Sequence, residues 1–191
     1  MISTRFTQHS LVTEVHKTIR PYLSENSISI DATMGNGHDT LFLAKHSLKV
    51  YAFDIQQEAI IATHTRLEKN NAIKNVHLIH AGHETMQQHI HTGEKADVIL
   101  FNLGYLPHAD TAIITQEKNT INALNHALKL LSSTGIISIM AYPGHEGGMS
   151  ELQAVINWYK QLNNTQFAIS IIRSMQEKVN SPRLFTIQRA Q

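Results

Sequence analysis

Apolar residues follow two rhythms along this chain. Val12, Val15, Ile19 and Tyr22 step by three and four, which predicts a helix over residues 7–23. Ser27-Ile28-Ser29-Ile30-Asp31 then alternates at period two, as a short strand does. The same change of rhythm repeats. Helix-like stretches at 38–46, 57–70, 83–91, 116–131 and 150–162 separate strand-like runs at 50–53, 76–80, 98–101 and 135–142. The clearest helix carries Ile121, Leu124, Leu128 and Leu131 on one stripe, with Gly135 read as its stop. Val98-Ile99-Leu100-Phe101 is continuously apolar, as expected for a strand buried on both faces. Two further strands, 167–172 and 184–188, close the chain.

Strand and helix alternating five times predict an α/β protein with a mostly parallel, twisted sheet covered by helices on both faces. The last two strands stand too close for another crossover helix, so the final strand is expected to be antiparallel. The 191 residues suffice for one domain and one full core, so residues 1–191 read as a single domain. Apolar residues make up 42% and charged residues 16%, which excludes an intrinsically disordered chain. Sixteen Lys and Arg against fifteen Asp and Glu leave a net charge of +1, so binding driven by bulk charge is excluded while a local basic patch is not. No cysteine is present, which removes disulfides, thiolate metal sites and thiol nucleophiles. With no apolar run of bilayer length and a polar start to the chain, a cytoplasmic location is expected.

Ligands of open parallel sheets bind beyond the carboxyl ends of the strands. The first such loop is Asp31-Ala32-Thr33-Met34-Gly35-Asn36-Gly37-His38-Asp39-Thr40. Gly35 and Gly37 permit a tight turn and close approach of a ligand, and the following helix offers free N–H groups. A dinucleotide fingerprint would place a third glycine where Thr40 stands. Asp31 ends the first strand and suits a ligand's ammonium group. Asp54 ends the second and can accept both hydroxyls of a ribose. S-adenosylmethionine carries both features. Gln56 in the second loop, and Gly82 and His83 in the third, could meet its adenosine. The plainer alternative makes the acids strand caps, the glycines turn residues, and Gln56 and Gly82-His83-Glu84 helix starts.

The fourth strand runs into Phe101-Asn102-Leu103-Gly104-Tyr105-Leu106-Pro107. The amide oxygen of Asn102 can accept an amine hydrogen and aim the nitrogen, and Tyr105 can stack on a planar base. Asn-Leu-Gly-Tyr is similar to the Asn-Pro-Pro-Tyr loop of amino-group methyltransferases, with Leu-Gly in place of Pro-Pro. After the fifth strand, Tyr142 and His145 lie in a glycine-rich loop, where His145 could take a proton from an amine. The alternatives are a turn capped by Asn102 and a plain connector carrying an exposed His145. Thirteen histidines are many, but His77 and His80, three apart on a strand, point to opposite faces, so no metal site is expected.

Residues 31–40, 101–107 and 142–148 together resemble the MnmM (YtqB-like) methyltransferases, and the likeness runs along nearly the whole chain. It implies a class I Rossmann-like fold using S-adenosylmethionine. It also implies methylation of the aminomethyl nitrogen on uridine 34, the tRNA wobble base. On that resemblance Asn36, Gly37, Asp39, Asp54, Gln56 and His83 hold the cofactor, while Asn102, Tyr105, Tyr142 and His145 face the uridine. The residue reading adds Asp31, Gly35, Thr40 and Gly82 to the cofactor set. Two departures stand out: His108-Ala109 where the family has two glycines, and Ser181-Pro182 for its paired prolines.

The expected partner is a tRNA anticodon stem-loop. Arg5, Lys17, Arg20, Arg173, Lys178, Arg183 and Arg189 are candidate phosphate contacts. One small domain offers little surface for an anticodon arm, so a homodimer is expected. Other readings stay open: a methyltransferase acting on ribosomal RNA or a small amine, a non-catalytic nucleotide- or RNA-binding module and, more distantly, an NAD-dependent oxidoreductase.

Overall fold

The structure, a computed structural model, describes residues 2–104 and 116–190. Eight strands form one sheet: β1 (Ile2–Thr7), β2 (Ile28–Asp31), β3 (Lys49–Asp54), β4 (Val76–His80), β5 (Ala96–Leu103), β6 (Leu131–Ala141), β7 (Phe167–Ser174) and β8 (Arg183–Arg189). Their order is β1-β7-β8-β6-β5-β2-β3-β4. Every neighbouring pair is parallel except those of β8, which runs antiparallel between β6 and β7. The expected fold class therefore holds, antiparallel closing strand included.

Helices α1 (Leu11–Ile19), α2 (His38–Ala44) and α3 (Gln57–Lys69) cover one face of the sheet. Their Leu11, Val15, Ile19, Leu43 and Leu67 pack on Val50, Val98, Leu100, Ile136 and Met140. Helices α4 (Met86–His89), α5 (Glu117–Leu130) and α6 (Gly148–Lys160) cover the other. There Met86, Leu124, Val155 and Trp158 meet Ile99, Phe101, Ile139 and Phe185. Val98 and Leu100 thus serve one core while Ile99 and Phe101 serve the other, the reason this strand reads as unbroken apolar sequence. No helix among the described residues is long and apolar enough to cross a membrane.

Three expectations need correcting. The first helix begins at Leu11, not residue 7, and a strand precedes it. Strand β1 lies at the sheet edge with five of its six residues exposed, so it carries no buried stripe to read. The buried stripe of α1 is Leu11, Val15 and Ile19; Val12 is 56% exposed. The helix tightens to a 3-10 turn over Arg20–Tyr22, where Pro21 has no N–H to donate. Finally, Gly135 does not stop α5. The helix ends at Leu130, and Gly135 sits inside β6, where an added Cβ would lie 2.9 Å from the backbone oxygens of Ala96 and Asp97. The β5–β6 register shifts at this point, so only a glycine lets the strands pass so closely.

Candidate active site

Strand β2 pairs with β3 on one side and β5 on the other, so the chain's path reverses between β2 and β5. A crevice opens at their carboxyl ends, where such sheets bind ligands. Its volume is about 460 Å³, within the range of a small-molecule site.

At one end of the crevice, Gly35 and Asn36 face Asp54, Gln56, Gly82 and His83. The carboxylate of Asp54 accepts the backbone N–H of Gly35 on Oδ2 and that of Gln56 on Oδ1, each at 3.0 Å. A carboxylate has about four acceptor positions, so both oxygens retain one for a ligand. His83 is buried, with Nδ1 3.2 Å from the carbonyl of Ala32. A carbonyl only accepts, so Nδ1 carries the hydrogen. Burial pushes the His83 pKa down, against the pull of Glu84, so the ring is neutral and Nε2 is an acceptor.

At the other end stand Asn102, Gly104 and Tyr142, with Asp39 on the floor. The backbone N–H of Asn102 donates to Thr33 Oγ1 at 2.7 Å, and its side-chain amide donates to Asp39 Oδ2 at 2.7 Å. Oδ1 of Asp39 takes a hydrogen from His16 Nε2 at 2.6 Å. Both oxygens of Asp39 are thus engaged by protein. Burial works against its charge, but the hydrogens of His16 and Asn102 outweigh that and hold its pKa below the usual value. The pKa of Tyr142 is raised by burial and by the charge of Asp39.

Several expected residues sit beside the crevice rather than in it. Asp31 is fully buried, with Thr40 Oγ1 donating to one oxygen at 2.6 Å and the N–H of Thr33 to the other at 3.2 Å. Asp31 and Thr40 therefore brace the loop from beneath. Burial and the neighbouring Asp39 push Asp31 up to about 7. Gly37 has φ +74°, and an added Cβ would lie 2.7 Å from Thr63 Oγ1 and 2.8 Å from Thr63 Cα. Packing by itself requires a glycine here, because it lets α2 start against α3. His145 lies just behind Gly104, whose added Cβ would stand 3.5 Å from His145 Nε2. Tyr105 and His108 lie outside the described residues.

Sequence reasoning missed the walls. Val12 and Val15 of α1, and Gln116 and Asn119 at the start of α5, line the crevice. Asn119 lies in the first turn of α5, off the apolar stripe that marks this helix in the sequence. None of the seven basic candidates lines it. Arg5 pairs with Glu14, and Arg173 with Glu177.

The sheet order, the antiparallel β8 and a crevice at the β2–β5 reversal define the class I methyltransferase fold. Residues 50–188 match the family model described as "Putative rRNA methylase", and the chain belongs to that family. A crystal structure so titled, from Clostridium thermocellum, is 33% identical, covers 97% of this chain and all of its own, and superposes with a TM-score of 0.91. A methyltransferase structure from Streptococcus mutans in complex with SAH is 38% identical, covers 96% of this chain and 100% of its own, and gives a TM-score of 0.88. The Arabidopsis thaliana protein named tRNA (mnm(5)s(2)U34)-methyltransferase, chloroplastic, is 36% identical over 155 residues, 75% of this chain. The chain spans 57% of that relative's length.

Proposed function

We propose that this chain transfers the methyl group of S-adenosylmethionine to the amino nitrogen of 5-aminomethyl uridine, with or without sulfur at position 2, at wobble position 34 of tRNA. The observation that carries this is the orientation of Asn102. Its NH₂ is turned to a carboxylate, so its oxygen is the atom left for a substrate, and an amide oxygen accepts an amine hydrogen. The name of the Arabidopsis relative and the SAH in the Streptococcus complex support the reading.

The residues fit the cofactor. Asp54 keeps acceptors for a ribose, and neutral His83 keeps one for an exocyclic amine. Asp31, Asp39 and Asp54 lie close enough for the latter two to raise the pKa of Asp31, so the floor is negative. That field favours a sulfonium and an ammonium. It opposes the pyrophosphate of NAD, because Asp39 occupies the first turn of α2, where a dinucleotide's phosphates would seek the helix N-terminus.

When bound, S-adenosylmethionine supplies a methyl group already activated by its positive sulfur. The protein's own task is alignment. Asn102 Oδ1 accepts an N–H of the uncharged amine and directs the nitrogen lone pair along the crevice. Thr33 holds the Asn102 backbone, and Tyr142 walls the amine side. The expected partner is the anticodon stem-loop, held by a homodimer, since one domain of this size presents little surface to such an arm. The proposed location is the cytoplasm, whereas the Arabidopsis relative named for that substrate is chloroplastic.

Nucleoside mass spectrometry of tRNA from a deletion strain tests the reading. Accumulated 5-aminomethyl uridine, restored by the wild-type chain, is the expected result. An unchanged tRNA profile with loss of a methylated ribosomal nucleoside would replace it with the reading in the family's own description.

A further inference from the structure

We infer that His16 is a positioning residue for methyl transfer: acting through Asp39, it holds the Asn102 amide with its oxygen toward the crevice. The inference rests on the proposed role of Asn102 and deepens it.

Asp39 is a two-sided bridge. Its Oδ1 meets His16 Nε2 at 2.6 Å, and its Oδ2 meets Asn102 Nδ2 at 2.7 Å. An ionised carboxylate accepts only, so both partners must donate. Were the Asn102 amide reversed, two oxygens would face each other at that distance, with no hydrogen between them. The amide is therefore locked for as long as Asp39 stays ionised and in place.

His16 supplies both conditions. Its ring stacks on Phe42, with centroids 3.9 Å apart and planes 7° from parallel. Phe42 lies three residues after Asp39, so both are on one face of α2. One imidazole from α1 thus grips that face at two points, by its ring and by its N–H. Asp39 stands close enough to Asp31 for the two charges to oppose each other. Without the His16 hydrogen it would keep one donor, Asn102, and would take up a proton more readily. A protonated Asp39 can itself donate, and the amide could then turn either way.

The bridge differs from a simple helix–helix tie because it ends on a crevice-lining side chain. The test compares His16→Phe, which keeps a ring to stack on Phe42 but has no N–H, with His16→Gln, which keeps a donor. The full chain would be assayed with S-adenosylmethionine and tRNA bearing 5-aminomethyl uridine, with cofactor affinity by calorimetry and melting temperature alongside. For His16→Phe we expect kcat to fall by about tenfold, the scale of a modest loss of alignment. Its KM and cofactor affinity should stay near wild type, while the melting temperature should fall by a few degrees for the lost hydrogen bond to a charged group. His16→Gln should recover most of the rate. In an Asn102→Ala background, His16→Phe should cost almost nothing more, because both changes disable one device. An undiminished kcat in His16→Phe overturns the inference. So does a fall shared equally by kcat, cofactor affinity and melting temperature, which would make His16 a structural brace, or a full additional loss in the double variant. A wild-type chain that leaves this tRNA unmethylated would instead sink the proposed function, an outcome visible before any variant is made.

Discussion

Gly35 donates its backbone N–H to Asp54 Oδ2 at 3.0 Å, so the loop after β2 and the acid ending β3 are one unit. Replacing Asp54 by Ala removes the proposed ribose acceptor and also orphans the loop's N–H. Hydrogen bonds to a charged group contribute about 1.5–3 kcal/mol each, so Asp54→Ala should weaken S-adenosylmethionine binding by roughly 100-fold. Calorimetry checks this, and an unchanged affinity would mean that the carboxylate meets no sugar.

Asn102 should behave in the opposite way. Asn102→Ala leaves the cofactor end intact, so its affinity should stay within about twofold of wild type while turnover falls roughly 100-fold. Single-turnover methyl transfer separates the two effects. Unaltered turnover would remove the amine-orienting role.

Gly37 tests the packing reading of the glycine loop. At φ +74°, with Thr63 Cα 2.8 Å from any added Cβ, Gly37→Ala should cost about 1–3 kcal/mol or more of folding stability in a urea titration. Shortening Thr63 to Ala should not relieve it, because the clash includes the helix backbone.

Asp31 carries a pH signature. Its folded pKa of about 7 lies above the ordinary carboxylate value, chiefly through burial. The folded state therefore holds a proton that the unfolded chain releases. The stability this contributes is complete below about pH 4 and is lost as pH rises through 7. Urea titrations of wild type and Asp31→Asn, which cannot ionise, isolate the effect. The wild type should lose stability relative to the variant between about pH 4 and 7, and a flat difference would contradict the shift.

Much of the fold was legible because burial leaves a periodic trace. Both-face burial made Val98 to Phe101 unbroken, and one-face burial striped α5 and α6. Where burial was absent, so was the trace: β1 sits exposed at the edge, and Val12 looked like core because it stands three residues before Val15. The loops after β2, β3 and β5 were legible for another reason. Gly35 follows β2, Asp54 ends β3 and Asn102 lies one residue before the end of β5, and strand ends of a parallel sheet converge on one edge.

Partnership between distant residues could not be read this way. Asp31 pairs with Thr40, Gly37 yields to Thr63, and His16 reaches Asp39 across 23 positions of chain. Local order specifies which residue types stand near a crevice. Which hydrogen meets which lone pair depends on how helices settle on the sheet, a matter of ångströms between elements that no one-dimensional spacing encodes. The chemistry of this edge was therefore in the amino-acid order, and the lock on Asn102 arose only when α1 packed beside α2.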